Sequence, residues 1–112
     1  MKAYERFINY AKVHTASNDT KTCTPSTDCQ YDLANMLAEE LEEIGLSEVY
    51  CDEHAYVYGV IPASEGLEDA MSIGFIAHID TIPDFPGRNV KPRIVENYDG
   101  GDIVLGDSGR VL

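Results

Sequence analysis

The sequence predicts an α/β protein, on three observations. Leu33, Met36, Leu37, Leu41 and Ile44 recur at helical spacing and run into Gly45, a left-handed helix stop. Residues 47–52 and 55–62 are rich in β-formers, with Val49, Tyr50, Tyr56, Val57, Tyr58, Val60 and Ile61. Residues 71–79 are apolar on both faces, the pattern of a strand covered on both sides in an α/β sheet.

The elements follow in order. Tyr4, Phe7, Ile8 and Ala11 give residues 3–14 one apolar helical stripe. Residues 15–26 are polar and contain Pro25, so they form a loop. Thr27 followed by Gln30 fits a capping box, with Ser26 as a competing N-cap. Glu39, Glu40, Glu42 and Glu43 fall on the remaining faces of the second helix and read as its solvated side. The two strands meet at a tight connection, Asp52-Glu53-His54, and Ser64 to Asp69 is an acidic turn region. Beyond Asp80 the chain is irregular, with short strands expected at 92–96 and 102–105. No repeat or low-complexity linker divides it, so residues 1–112 read as one unit without an internal boundary.

With 112 residues the chain is long enough for a core, and 44% hydrophobic content is that of a globular protein. A net charge of −12 excludes nucleic acid and anionic membrane as natural partners, since both require clustered Lys and Arg. No run of apolar residues is long enough to span a bilayer, and "MKAYERFINYAKV" lacks a signal-peptide hydrophobic region. Cys23, Cys29 and Cys51 form neither a disulfide framework nor a zinc-knuckle spacing; an odd count suits reduced thiols in a cytoplasmic protein.

The chemistry concentrates at "GFIAHIDTIPD", residues 74–84. Residues i and i+2 of a strand face the same way, so His78 and Asp80 point together at the carboxyl end of the buried strand, where open α/β sheets place their ligand sites. Neutral imidazole is a good zinc ligand, and a ligating histidine usually donates its other N–H to a carboxylate. The alternative on these residues alone is a hydrogen-bonded histidine capping a strand end.

"GFIAHIDTIPD", continued by "GRNVKPRIVENYDGGDIVLG", resembles the peptidase T (tripeptide aminopeptidase) branch of the two-zinc exopeptidase family. "ERFINYAKVHTAS" and "PSTDCQYDLANMLAEELEEIGL" are similar to that family's opening helices in the same order, so the resemblance covers nearly the whole chain. It implies the N-terminal part of a zinc-exopeptidase catalytic domain, with helices packed on a mixed sheet. It also implies a metallo-aminopeptidase releasing N-terminal residues from short peptides with two zinc ions. His78 is then a ligand of one zinc, and Asp80 is the catalytic carboxylate that partners it. The family's other ligands and its general base match nothing here, and "LGDSGRVL" stops as an apolar run begins. The chain therefore reads as truncated. The isolated 112 residues are expected to be inactive, to retain little zinc and to self-associate through an uncovered sheet. The competing expectation is a non-catalytic α/β module used for assembly or binding.

Other motifs have plainer readings. Gly106-Asp107-Ser108-Gly109 mimics the surroundings of a serine-protease nucleophile, but geometry makes a triad and the chain is far too short for that fold. The cysteines read as ordinary small residues. His14 is expected to meet the dipole at the end of the first helix, and His54 to be solvated in its turn.

Overall fold

A computed structural model describes residues 1–112. Helix α1 spans Ala3–Tyr10, and the Glu5 carboxylate accepts the Lys2 backbone N–H at 2.7 Å. It is shorter than the periodicity suggests. After Tyr10 the chain leaves through turns, and the Thr15 carbonyl bonds to Thr81 instead of continuing a helix. The expected apolar stripe is only partly used, because Tyr4 and Phe7 are exposed. Instead, α1 is tied to the next helix by polar contacts: Arg6 and Tyr10 both donate to the Glu40 carboxylate. Glu40 therefore departs from the solvated face expected of it.

Helix α2 spans Gln30–Ile44 and ends at Gly45, whose φ of 99° is left-handed and whose N–H bonds back to Glu42 and Leu41. Its start differs from the expected capping box. Residues 27–29 form a turn leading into the helix, and the Thr27 hydroxyl donates to the Ala16 carbonyl at 2.7 Å. Gln30 reaches back as anticipated, but to the side chains of Thr27 and Ser26, at 3.1 and 3.3 Å.

Strands β1 (Ser47–Cys51) and β2 (Val57–Val60) form the expected antiparallel hairpin, pairing Tyr50 with Tyr58 and Cys51 with Val57. The register shifts between Ser47 and Tyr50, where Glu48 takes a φ of 51°. The connection is held by Asp52, whose carboxylate accepts the His54 and Tyr56 backbone N–H groups, each at 2.9 Å. Helix α2 packs closely on this hairpin. A Cβ at Gly59 would lie 2.9 Å from a Leu46 methyl and 3.4 Å from one of Leu41, so only glycine fits there without a shift. Leu33, Ala34 and Ala55 are buried, as are the polar Thr15 and Gln30.

The segment 71–79 corrects the expectation of a buried central strand. It forms no ladder, and Phe75 and Ile76 are 95% and 101% exposed. Composition makes a chain extended, but burial as a central strand needs a partner on each side. Here the pairing is confined to the next residues, as an isolated parallel bridge between Thr81 and Ala16. In place of one mixed sheet there are two separate two-stranded antiparallel sheets. The second joins β3 (Val104–Leu105) to β4 (Arg110–Val111), and 92–96 is not a strand; its Arg93 side chain reaches the Val104 carbonyl at 2.6 Å. The body is open. Its radius of gyration is 17.6 Å, against about 13 Å for a compact domain of this length, and 5 of 112 residues are buried. The sizeable core expected from length and composition is not formed. No helix is long and apolar enough to cross a membrane.

Candidate functional site

The site begins with one ring nitrogen. His78 Nδ1 lies 2.9 Å from the Asp80 backbone carbonyl and 3.2 Å from the Asp80 carboxylate. Both oxygens are acceptors, so Nδ1 is the donor, and in the neutral ring the lone pair sits on Nε2. The His78 side chain is 85% exposed, which leaves Nε2 accessible. The i, i+2 spacing thus brings the two residues together as expected, although by a local turn-back of the side chain rather than on one face of a ladder.

The segment 75–80 borders an open cavity of about 990 Å³, with Phe75 and Ile76 at its solvent-facing rim. Residues 54–58, with Gln30, Leu37 and Leu41 of α2 and residues 23–26, complete the lining. The cavity is mostly apolar, with His78 and Asp80 among its polar members. Desolvation, and then the nearby Asp52, Tyr50 and Tyr56, push the Tyr58 hydroxyl up, so it stays protonated and can donate a hydrogen bond.

What holds the pair lies behind it. The Thr81 N–H donates to the Thr15 carbonyl at 3.0 Å, and the Thr81 carbonyl accepts from the Ser17 N–H at 2.9 Å. Thr15 is 2% exposed, so this anchor is buried. Sequence reasoning missed Thr15, Ala16, Ser17 and Thr81 as site-supporting residues. The one signal was the Thr27–Gln30 pair, which periodicity assigns to a helix cap and the fold uses for the loop.

The remaining candidates fall away on geometry. Ser108 donates to the Leu105 carbonyl at 2.5 Å and accepts the Arg110 N–H at 3.2 Å, so its hydroxyl shapes the turn between β3 and β4. Burial, then Asp52, raise the Cys51 thiol above its ordinary value, the opposite of what a nucleophilic cysteine needs. The Cys29 sulfur sits 3.2 Å from the Thr27 hydroxyl. His54 is exposed, as expected, and meets Tyr56 edge-on at 5.8 Å. His14 does not cap a helix. It lies beyond the end of α1, its Nδ1 is buried without a partner, and it would sit 3.4 Å from a Cβ at Gly87.

His78 and Asp80 fit one corner of a zinc site: an available nitrogen and the carboxylate that orients its ring. No group of three or more His, Cys, Asp or Glu side chains converges in the chain, and a stable zinc site takes three or four ligands.

The comparisons with known proteins find relatives along nearly the whole of this chain. It belongs to the peptidase T family. It is 51% identical over 111 residues to a protein named Peptidase T from Bacillus licheniformis, covering 99% of this chain. It is 54% identical over 106 residues to Peptidase T of Clostridium perfringens, and 49% identical over 108 residues to that of Geobacillus thermodenitrificans. The chain spans 26 to 27% of the length of these relatives. No protein-family model matches it.

Proposed function

We propose that these residues supply the His78–Asp80 corner of a zinc-dependent aminopeptidase that releases N-terminal residues from tripeptides in the cytoplasm. The observation that carries the proposal is the Nδ1–H of His78 held at 2.9 Å by the Asp80 carbonyl and at 3.2 Å by its carboxylate, beside an apolar cavity. That arrangement fixes the tautomer that presents Nε2 outward, as metal-ligating histidines require. Identity of about half with proteins named for peptidase activity supports the catalytic reading over a non-catalytic assembly module.

In this reading His78 holds one metal through Nε2, while Asp80 keeps the ring in register and stabilises positive charge that builds on it. Zinc, when bound, supplies Lewis acidity toward the scissile carbonyl and water. The other ligands and the general base come from polypeptide beyond these residues, because His78 and Asp80 provide one ligand and its partner. The acidic surface, net charge −12, favours the free amine of a short peptide over anionic macromolecules.

The deciding experiment is tripeptide hydrolysis by the full-length protein, before and after chelation and after zinc is restored. Activity lost to the chelator, returned by zinc and absent in His78→Ala is expected. Hydrolysis indifferent to both chelator and His78→Ala would defeat the assignment.

A further inference from the structure

Two peptide groups, joined across Thr81, connect the start of α2 to the His78 ring. The first is the Ala16–Ser17 peptide. Its carbonyl accepts the Thr27 hydroxyl at 2.7 Å, and its N–H donates to the Thr81 carbonyl at 2.9 Å. The second is the Asp80–Thr81 peptide. Its N–H donates to the Thr15 carbonyl at 3.0 Å, and its carbonyl accepts His78 Nδ1 at 2.9 Å. A peptide group is planar, so fixing its carbonyl fixes the direction of its N–H. The Thr27 hydroxyl thereby aims the Ser17 N–H at Thr81. The Thr81 carbonyl lies in the following peptide, so the bonds to its N–H and to its carbonyl clamp Thr81 on both sides of its Cα, and through Thr81 the plane whose carbonyl holds the imidazole.

Thr27 is itself held in place. Gln30 Nε2 donates to its hydroxyl at 3.1 Å, and Gln30 is 92% buried, being 8% exposed. The Ala16 carbonyl can only accept, so at 2.7 Å it takes the hydroxyl proton, and the Gln30 N–H and the Cys29 thiol at 3.2 Å face the oxygen's lone pairs. A capping threonine would have bonded a backbone N–H of its own helix. Here the side chain turns away from the helix toward the loop, which the helix start alone does not explain.

Resting on the function proposed above, we infer that Thr27 is a positioning residue. Through the Ala16–Ser17 and Asp80–Thr81 peptides it sets the ring orientation of His78, and so the direction in which Nε2 meets the metal. The segment 71–79 has no ladder of its own, which makes this brace the principal backbone restraint on the histidine.

The test compares the full-length protein carrying Thr27→Val, Thr27→Ser and Ser17→Ala, the last removing a second hydroxyl that reaches the Thr81 carbonyl at 3.1 Å. Backbone amide hydrogen exchange is followed without metal, and zinc affinity is measured by competition with a chelating dye. In Thr27→Val, exchange at Ser17 and Thr81 should quicken roughly tenfold or more through local opening, while the α2 amides of Leu37 and Leu41 keep their rates. Zinc affinity should fall about 10-fold, at the low end for outer partners of metal ligands. Thr27→Ser, which keeps the hydroxyl, should restore both, and Ser17→Ala should shift both in the same direction by less. Unchanged exchange at Thr81 overturns the inference. So does faster exchange with full zinc affinity, because the brace would then not position the ring. If Thr27→Val fails to fold, Thr27→Ser and Ser17→Ala decide by the same criteria. If wild type binds no zinc, the metal reading fails, and exchange at Thr81 alone decides whether Thr27 fixes the brace.

Discussion

His78 Nδ1 lies closer to the backbone carbonyl of Asp80, at 2.9 Å, than to its carboxylate, at 3.2 Å. Orientation of the ring is therefore shared between a group that mutation cannot remove and one that it can. Asp80→Asn leaves the carbonyl in place, so the tautomer survives the substitution. What goes is the negative charge beside the ring. A loss of about 10-fold in zinc affinity, nearer the lower than the upper end for outer carboxylates, is expected for Asp80→Asn in the full-length protein. On the function proposed above, His78→Ala removes the ligand itself and should cost more. Metal content and tripeptide hydrolysis measured side by side check this order; an Asp80→Asn enzyme as depleted as His78→Ala would show that the carboxylate, not the carbonyl, holds the ring.

The isolated 112 residues bring no three His, Cys, Asp or Glu side chains together, and His78 has only Asp80 beside it. Zinc at one histidine without further ligands stays loosely bound. Calorimetric titration should accordingly show binding weaker than about micromolar, roughly 8 kcal/mol, or none. Stoichiometric binding tighter than that, abolished by His78→Ala, would mean that the chain assembles a site from residues that stand apart in this structure.

The elements read correctly from sequence are those whose cause is local. Helix α2 was legible because its stripe repeats within 15 residues and Gly45 closes it with a φ of 99°. The β1–β2 hairpin was legible because its β-formers flank Asp52, which folds its own turn. The run 71–79 misled because apolar composition reports a preference for burial, whereas burial in a sheet depends on neighbours. The same holds at the site. The His78–Asp80 contact spans two residues and follows from spacing. The brace behind it joins positions 11 and 64 residues apart, through a hydroxyl and two backbone amides that carry no sequence signature.

The β1–β2 connection should be sensitive to acid. Desolvation pushes the Asp52 carboxyl up, but the N–H groups of Tyr56 and His54, with the charge of His54, outweigh it and hold it below its ordinary value. A group whose folded pKa is depressed contributes stability above its unfolded value, near 3.9, and loses it as pH falls through the folded one. Amide exchange at Ala55 and Tyr56 should therefore quicken, beyond its intrinsic pH dependence, as pH drops below about 4. In Asp52→Ala it should be fast throughout and lack that added step. A variant that matches wild type at neutral pH would remove Asp52 from the account of this turn.

Self-association follows from the apolar segment that finds no cover. Met71, Ile73, Phe75 and Ile76 are 90%, 78%, 95% and 101% exposed, and they alternate with or adjoin one another along an extended backbone. Both sheets are two-stranded, so every strand is also an edge with unpaired donors and acceptors. Exposed apolar patches and open edges are the features through which chains pair with one another. The net charge of −12 opposes association at low ionic strength, and salt screens that repulsion within about 10 Å at 0.1 M. Sedimentation velocity on the isolated chain should therefore show oligomers that grow with protein concentration and with added salt. Phe75→Ser with Ile76→Ser should shift the distribution toward monomer without altering α2 or the β1–β2 hairpin, which those side chains do not build. A chain that stays monomeric at high concentration and in 0.5 M salt would show that the segment covers itself in solution, and the open arrangement of residues 71–79 would have to be abandoned.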